Sequence, residues 1–241
     1  MENLLARKNV VVIGGSSGIG FALAKGLLRE DAFVTIHGKH KSNGFTDFCA
    51  HPNAGGFIAD LQDKNQIDVL CNEITAADVL CVTYGPFLQC PLDTVARDDW
   101  ERIVYANLTL PGILVSTVLP NMMKKRWGRI LLFGGTETHI LRGFKTNAVY
   151  GAAKMGIMSL VRSISMTYAR YGITANAICP GFTDTPLLTQ EQRAGWSAKN
   201  PSGRLLSMDA VVSAALFLLK DSVYNGVIMP VDEGWSSFSP E

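Results

Sequence analysis

The sequence predicts an α/β fold: one doubly wound domain spanning 1–241, a mostly parallel sheet of seven strands with helices on both faces. Three observations predict it. Short β-branched apolar runs alternate with amphipathic stretches along the whole chain. A glycine-rich turn, "GGSSGIG" at 14–20, directly follows the first apolar run. The composition keeps one texture throughout, with no internal repeat and no low-complexity linker.

The elements follow in order. "NVVVIGG" (9–15) reads as a fully buried parallel strand, and "SGIGFALAKGLLRE" (17–30) as a helix with Ile19, Leu23, Leu27 and Leu28 on one stripe. "FVTIHG" (33–38), "AGGFIADL" (54–61) and "DVLCVTYG" (78–85) supply the next three strands. The segment 61–77 between the last two is short for a crossover helix and allows only a few turns. A long helix covers 98–125, with Asp98 or Asp99 at its cap and a bend expected at Pro111. "GRILLFGG" (128–135) is a fifth strand, and a helix over 148–172 ends at Gly172. A strand over 173–181, a helix over 208–220 and a strand over 226–234 complete the set.

Composition narrows the function classes. Hydrophobic residues make up 47% and charged residues 18%, which suits a compact core rather than disorder. A formal net charge of +1 with no basic block argues against nucleic-acid binding. The nearest basic cluster is Lys39-His40-Lys41. Five cysteines without a C-x-x-C pair fit reduced thiols, and the four histidines show no ligand spacing, so no metal site is expected. No apolar run approaches membrane-spanning length, and the N-terminal stretch has no cleavable apolar segment. A soluble, cytoplasmic protein is expected.

Two motifs carry chemistry. Glycines between a first strand and a first helix let the backbone turn tightly against a pyrophosphate at the helix N-terminus, as in a Rossmann fold. The spacing departs from G-x-G-x-x-G: Gly14 and Gly18 are separated by three residues, including the hydroxyls of Ser16 and Ser17, with Ile19 following. A carboxylate at the end of the second strand would select NAD. The chain offers Gly38 and Lys39 there, which favours NADP(H) and leaves NAD(H) open, the other reading being a solvated turn. In the second motif, "YGAAK", Tyr150 and Lys154 share a helix face. A phenol titrates near about 10, and an adjacent ammonium favours its ionised form.

"GGSSGIG", "YGAAK" and "NAICPGFTDTP", taken in order with "ADL" at 59–61, Asn107 and "VDEG" at 231–234, resemble the short-chain dehydrogenases/reductases. The likeness is greatest to the bacterial 3-oxoacyl-[acyl-carrier-protein] reductase branch. The resemblance implies an NADP(H)-dependent carbonyl reductase, acting on a 3-oxoacyl thioester or on another small molecule such as a sugar or a steroid. Tyr150 would donate the proton, Lys154 would hold the nicotinamide ribose and lower the Tyr150 pKa, and Asn107 would anchor a water leading to solvent. Asp60 and Leu61 would contact the adenine; Pro180, Gly181, Thr183 and Thr185 would border the nicotinamide. It also implies a homotetramer. An acyl carrier protein is a possible partner, through Arg126, Arg129 and Arg170.

Three departures qualify that picture. Where the family has Asn-Asn-Ala-Gly, this chain has Val82-Thr83-Tyr84-Gly85, placing Tyr84 and Gly85 in the cofactor wall. The usual Thr before the glycine loop is Ile13. The substrate-binding Ser of the family falls on Gly135, leaving Thr136, Thr138 or no hydroxyl as its replacement. The loss of that Ser admits a second reading, a dinucleotide-binding sensor or scaffold with little turnover.

Overall fold

The computed structural model describes residues 3–235. Met1 and Glu2, with which the N-terminal stretch opens, lie outside the described residues. Seven strands form one parallel sheet in the order β3-β2-β1-β4-β5-β6-β7. They are β1 (Asn9–Ile13), β2 (Phe33–Gly38), β3 (Ala54–Ile58), β4 (Val79–Val82), β5 (Gly128–Phe133), β6 (Ile173–Pro180) and β7 (Ile228–Val231). Alternate side chains of each strand feed two cores. Val11, Ile13, Leu80 and Val82 enter one, while Val10, Val12, Val79 and Cys81 enter the other.

The first core is covered by α3 (Lys64–Ile74), α5 (Leu110–Lys125) and α6 (Ala148–Tyr168). The second is covered by α1 (Gly18–Leu28), α2 (Asn43–Cys49) and α8 (Met208–Leu219). Burial on both faces is why the strands read as continuous apolar runs. Strand order reverses between β1 and β4, whose last residues Ile13 and Val82 are paired, and this opens a crevice beyond their carboxyl ends.

The long helix differs from expectation at two points. It starts at Arg97 as α4 (Arg97–Val104), and its N-cap is Ala96. Asp98 and Asp99 lie in the first turn instead, where their charge complements the helix dipole. The bend foreseen at Pro111 takes the form of a π-helical turn, Tyr105–Thr109, immediately upstream. Pro111 has no N–H to donate to the Asn107 carbonyl, and the Leu110 N–H reaches back to Tyr105, so the ladder widens by one residue there.

The run Arg97–Lys125 is 29 residues long and apolar enough, by length and composition, to cross a membrane, contrary to the sequence expectation. Half of its most apolar window is buried within the protein, with Leu110, Leu114, Val118 and Met122 in the first core, the pattern of a core helix. Two helices were absent from the sequence reading: α2, and α7 (Gln190–Lys199). The second carried a readable signal. Thr189 and Gln192 form a reciprocal capping box at its start.

Candidate active site

The glycine loop joins β1 to α1 at the crevice. Ser17 is the N-cap of α1, its side chain makes no capping bond, and the residue is exposed. A Cβ built on Gly18 would meet only Thr185 Cγ2, at 4.0 Å, so this helix N-terminus faces open space as a phosphate cradle must. Ser16 lies against the end of β2, within 3.0 Å of where a Gly38 side chain would begin. A dinucleotide pyrophosphate fits this donor set.

Two residues not foreseen in the sequence hold the loop in place. His37 is buried in β2; its Nδ1 accepts from the Gly14 N–H at 3.2 Å, and its Nε2 lies 2.9 Å from the Ala59 carbonyl. Those partners require a neutral ring with the proton on Nε2, and burial depresses the imidazole pKa in agreement. The second residue is Thr83. Its hydroxyl donates to the Ile13 carbonyl at 2.9 Å, beside the N–H groups of Thr83 and Tyr84 on the same oxygen. The hydroxyl missing at Ile13 is thus supplied from β4's exit. Thr83→Val is expected to cost about 1 kcal/mol of loop organisation and raise the dinucleotide KM about fivefold, with Thr83→Ser close to wild type. Identical KM values in steady-state assays of all three proteins would show the bond to be idle.

At the end of β2, Lys39 Nζ pairs with Asp60 Oδ2 at 3.0 Å. The Gln62 N–H and Lys39 together hold the Asp60 carboxyl below its ordinary range. Leu61 buries its side chain in the first core, so an adenine contact by this residue would come from its backbone. Tyr84 likewise packs its ring against the first core, so the wall of the cleft at that point is backbone and Gly85.

Tyr150 and Lys154 lie in the first two turns of α6. Lys154 is buried, and Nζ donates to the carbonyl of Phe133, the last residue of β5, at 2.8 Å. Asn107, fully buried in the π-helical turn, donates Nδ2 to the Pro86 and Ile103 carbonyls, each at 3.0 Å. Its Oδ1 is buried with no protein partner. A Cβ on Gly85 would lie 2.6 Å from Asn107 Oδ1 and 2.7 Å from Lys154 Nζ, so both polar atoms converge on that glycine.

One expectation is corrected here. Burial, with a smaller contribution from Cys179, pushes the Tyr150 phenol upward rather than down. Lys154 Nζ is 5.8 Å from the ring centroid and bonded elsewhere, so its charge does not offset desolvation. Burial also lowers Lys154 to about 8. Tyr150 is therefore held protonated, the form a proton donor needs.

Gly135 occupies the position counted for the missing Ser. A Cβ there would lie 2.8 Å from the Tyr150 hydroxyl, so the phenol rests directly on this residue. Thr138 is buried in the turn beneath, donating to the Gly135 carbonyl and accepting from the Gly135 N–H, both at 2.9 Å. Thr136 lines the cavity with Tyr150, and its hydroxyl reaches the Pro180 carbonyl at 3.4 Å. Of the two threonines, only Thr136 faces the cavity. The space, about 540 Å³, also includes Ile19, Gly181, Thr183 and Thr185. Thr183 turns its hydroxyl onto the Gly181 carbonyl at 3.0 Å.

Residues 8–195 match the family model described as short chain dehydrogenase. The 3-oxoacyl-[acyl-carrier-protein] reductase FabG of Salmonella typhimurium is 32% identical over 238 residues, covering 94% of this chain and 96% of the relative. The D-beta-hydroxybutyrate dehydrogenase of Rhizobium meliloti is 28% identical over 257 residues, covering 95% and 99%. A gluconate 5-dehydrogenase from Burkholderia cenocepacia J2315, solved with NADP and tartrate, superposes with a TM-score of 0.86 at 25% identity over 98% of both chains. Likeness of that extent makes this chain an oxidoreductase belonging to the short-chain dehydrogenase/reductase family.

Proposed function

We propose that the protein is an NADP(H)-dependent carbonyl reductase in which Tyr150 delivers the proton. The observation that carries this reading is the Tyr150 hydroxyl resting on Gly135 at the cavity, with Lys154 buried one turn further along α6. When bound, the dinucleotide supplies the hydride. Tyr150 gives its proton to the carbonyl oxygen as charge develops there. Thr136 offers that oxygen a second donor in place of Ser once its hydroxyl turns from the Pro180 carbonyl. Lys154 presents an ammonium for the ribose hydroxyls, and the unpartnered Asn107 Oδ1 beside it suits a water that returns the proton from solvent. NADPH consumption with a carbonyl panel tests the reading; dinucleotide binding without oxidation by any carbonyl would favour the sensor instead.

The NADP(H) preference is supported by Lys39 at the end of β2, beside Ser16. Asp60 shares that cation, so a 2′-phosphate has to compete with a carboxylate for it. Lys39→Asp is expected to weaken NADPH by about 10–100-fold, the loss of one charge-assisted contact, and NADH much less. Equal shifts in the two Kd values would remove the stated cause of selectivity.

The acyl-carrier surface has less support. Arg129 is buried against Trp127 and bonded to the Gly128 and Gly172 carbonyls, so it is absent from any basic patch with Arg126 and Arg170.

A further inference from the structure

The walls of the cavity carry an unusual share of rings. Phe87 meets Tyr150 edge-on, centroids 5.1 Å apart at 76°. Phe182 lies 5.3 Å from Trp196 at 31° and 5.3 Å from Trp235 at 79°. Phe144 adds a sixth ring over Gly151 at the start of α6. Leu187 and Leu188 extend the apolar lining. Two cations line this wall: Arg142 is already engaged, ion-paired with the buried Glu137 and 4.8 Å above the Phe144 ring, and Lys199 is exposed at the end of α7.

We infer that the substrate is a flat cyclic ketone, aromatic or fused-ring, held between aromatic side chains, rather than an acyl thioester or a sugar acid. The inference rests on the carbonyl-reductase reading of the same cavity. Aromatic faces and edges favour a flat ring through offset and edge-on contacts, which a flexible chain does not match per unit area. A polyhydroxylated acid could set its carboxylate near the exposed Lys199, but its hydroxyls would lie against rings, at a cost that the remaining polar groups there, chiefly Gln89, Thr146 and Asn147, do not offset. The space, about 540 Å³, is shared with the nicotinamide that Pro180, Gly181, Thr183 and Thr185 would border, which favours a compact ring over a long chain. In the reaction the ketone carbon gains a hydride from the reduced nicotinamide and its oxygen gains the Tyr150 proton. The C=O π bond becomes a C–H and an O–H bond, and the dinucleotide is oxidised.

The cavity carries its own reporters, Trp196 and Trp235. The test compares 1-tetralone, acetoacetyl-CoA and 5-ketogluconate in NADPH-consumption assays, and titrates tryptophan fluorescence with 1-tetralone. The expected kcat/KM for 1-tetralone exceeds the other two by about tenfold or more, and Trp196→Ala and Phe87→Ala each lower it about tenfold while changing acetoacetyl-CoA far less. A saturable quench is expected that Trp196→Ala weakens and Trp100→Phe, on α4, leaves intact. Phe87 is 56% exposed, so its variant keeps the test open even if Trp196→Ala misfolds. Faster turnover of acetoacetyl-CoA or 5-ketogluconate would overturn the inference and leave the reductase reading standing. A Trp196-dependent quench without oxidation of NADPH by any of the three would uphold ring binding and remove the reductase reading. Absence of a saturable quench would overturn the inference.

Discussion

Tyr150→Phe is expected to lower kcat for carbonyl reduction by about 10²–10⁴-fold, the range for losing a positioned general acid. The Phe ring keeps the contacts with Phe87 and Gly135, so the dinucleotide Kd and the thermal midpoint should stay near wild type. Binding and turnover therefore separate cleanly in this variant. The pH profile supplies a second check. Burial raises the phenol and lowers Lys154 to about 8, so Lys154 is the first of the pair to change charge as pH rises. Lys154 is an ammonium below that value and neutral above it. Reduction should accordingly decline on the alkaline side near pH 8, before Tyr150 ionises. Wild-type turnover in Tyr150→Phe would take the proton-donor role away from this residue.

Gly85→Ala should produce the second large effect, through one methyl group. Its Cβ would arrive 2.6 Å from Asn107 Oδ1, 2.7 Å from Lys154 Nζ and 3.3 Å from Lys154 Cε. The neighbours are buried, so Lys154 yields by surrendering its bond to the Phe133 carbonyl. Overpacking of this kind costs about 1–3 kcal/mol, and kcat/KM should fall by about 10–100-fold with a raised dinucleotide KM. Gly112→Ala in α5 is the matched control, because a Cβ there meets nothing within 4 Å. Wild-type kinetics in Gly85→Ala would mean that Lys154 and Asn107 are not the pair the crevice depends on.

Most of the fold was legible because burial on both sheet faces writes strands as apolar runs and glycine marks the turn where the first ends. What escaped depended on contacts remote in sequence. The direction of the Leu61 side chain is set by core packing, which its motif does not show. The choice between Thr136 and Thr138 required the turn after β5, in which Thr138 spends its hydroxyl on Gly135. Thr83 acts on Ile13 across 70 residues, a link no local pattern carries. The direction of the Tyr150 shift was misjudged because spacing along a helix reveals proximity to Lys154 and says nothing of desolvation. The helix α7 was overlooked although Thr189 and Gln192 announced it.

The neutral imidazole between Gly14 and Ala59 ties nucleotide binding to acid tolerance. His37 has its pKa lowered by burial, against weaker upward pulls from the Ala59 carbonyl and the Asp60 charge. In the unfolded chain the ring takes up a proton near about 6.5, whereas in the fold it resists until lower pH. This contribution to stability is therefore intact above that value and erodes as pH falls through it toward the folded pKa. A protonated ring cannot accept from the Gly14 N–H, so a proton on His37 and an ordered glycine loop exclude one another. Any ligand that holds the loop then competes with protons for the same state, and saturation with dinucleotide should move the acid-unfolding midpoint to lower pH in the wild type and by less in His37→Phe.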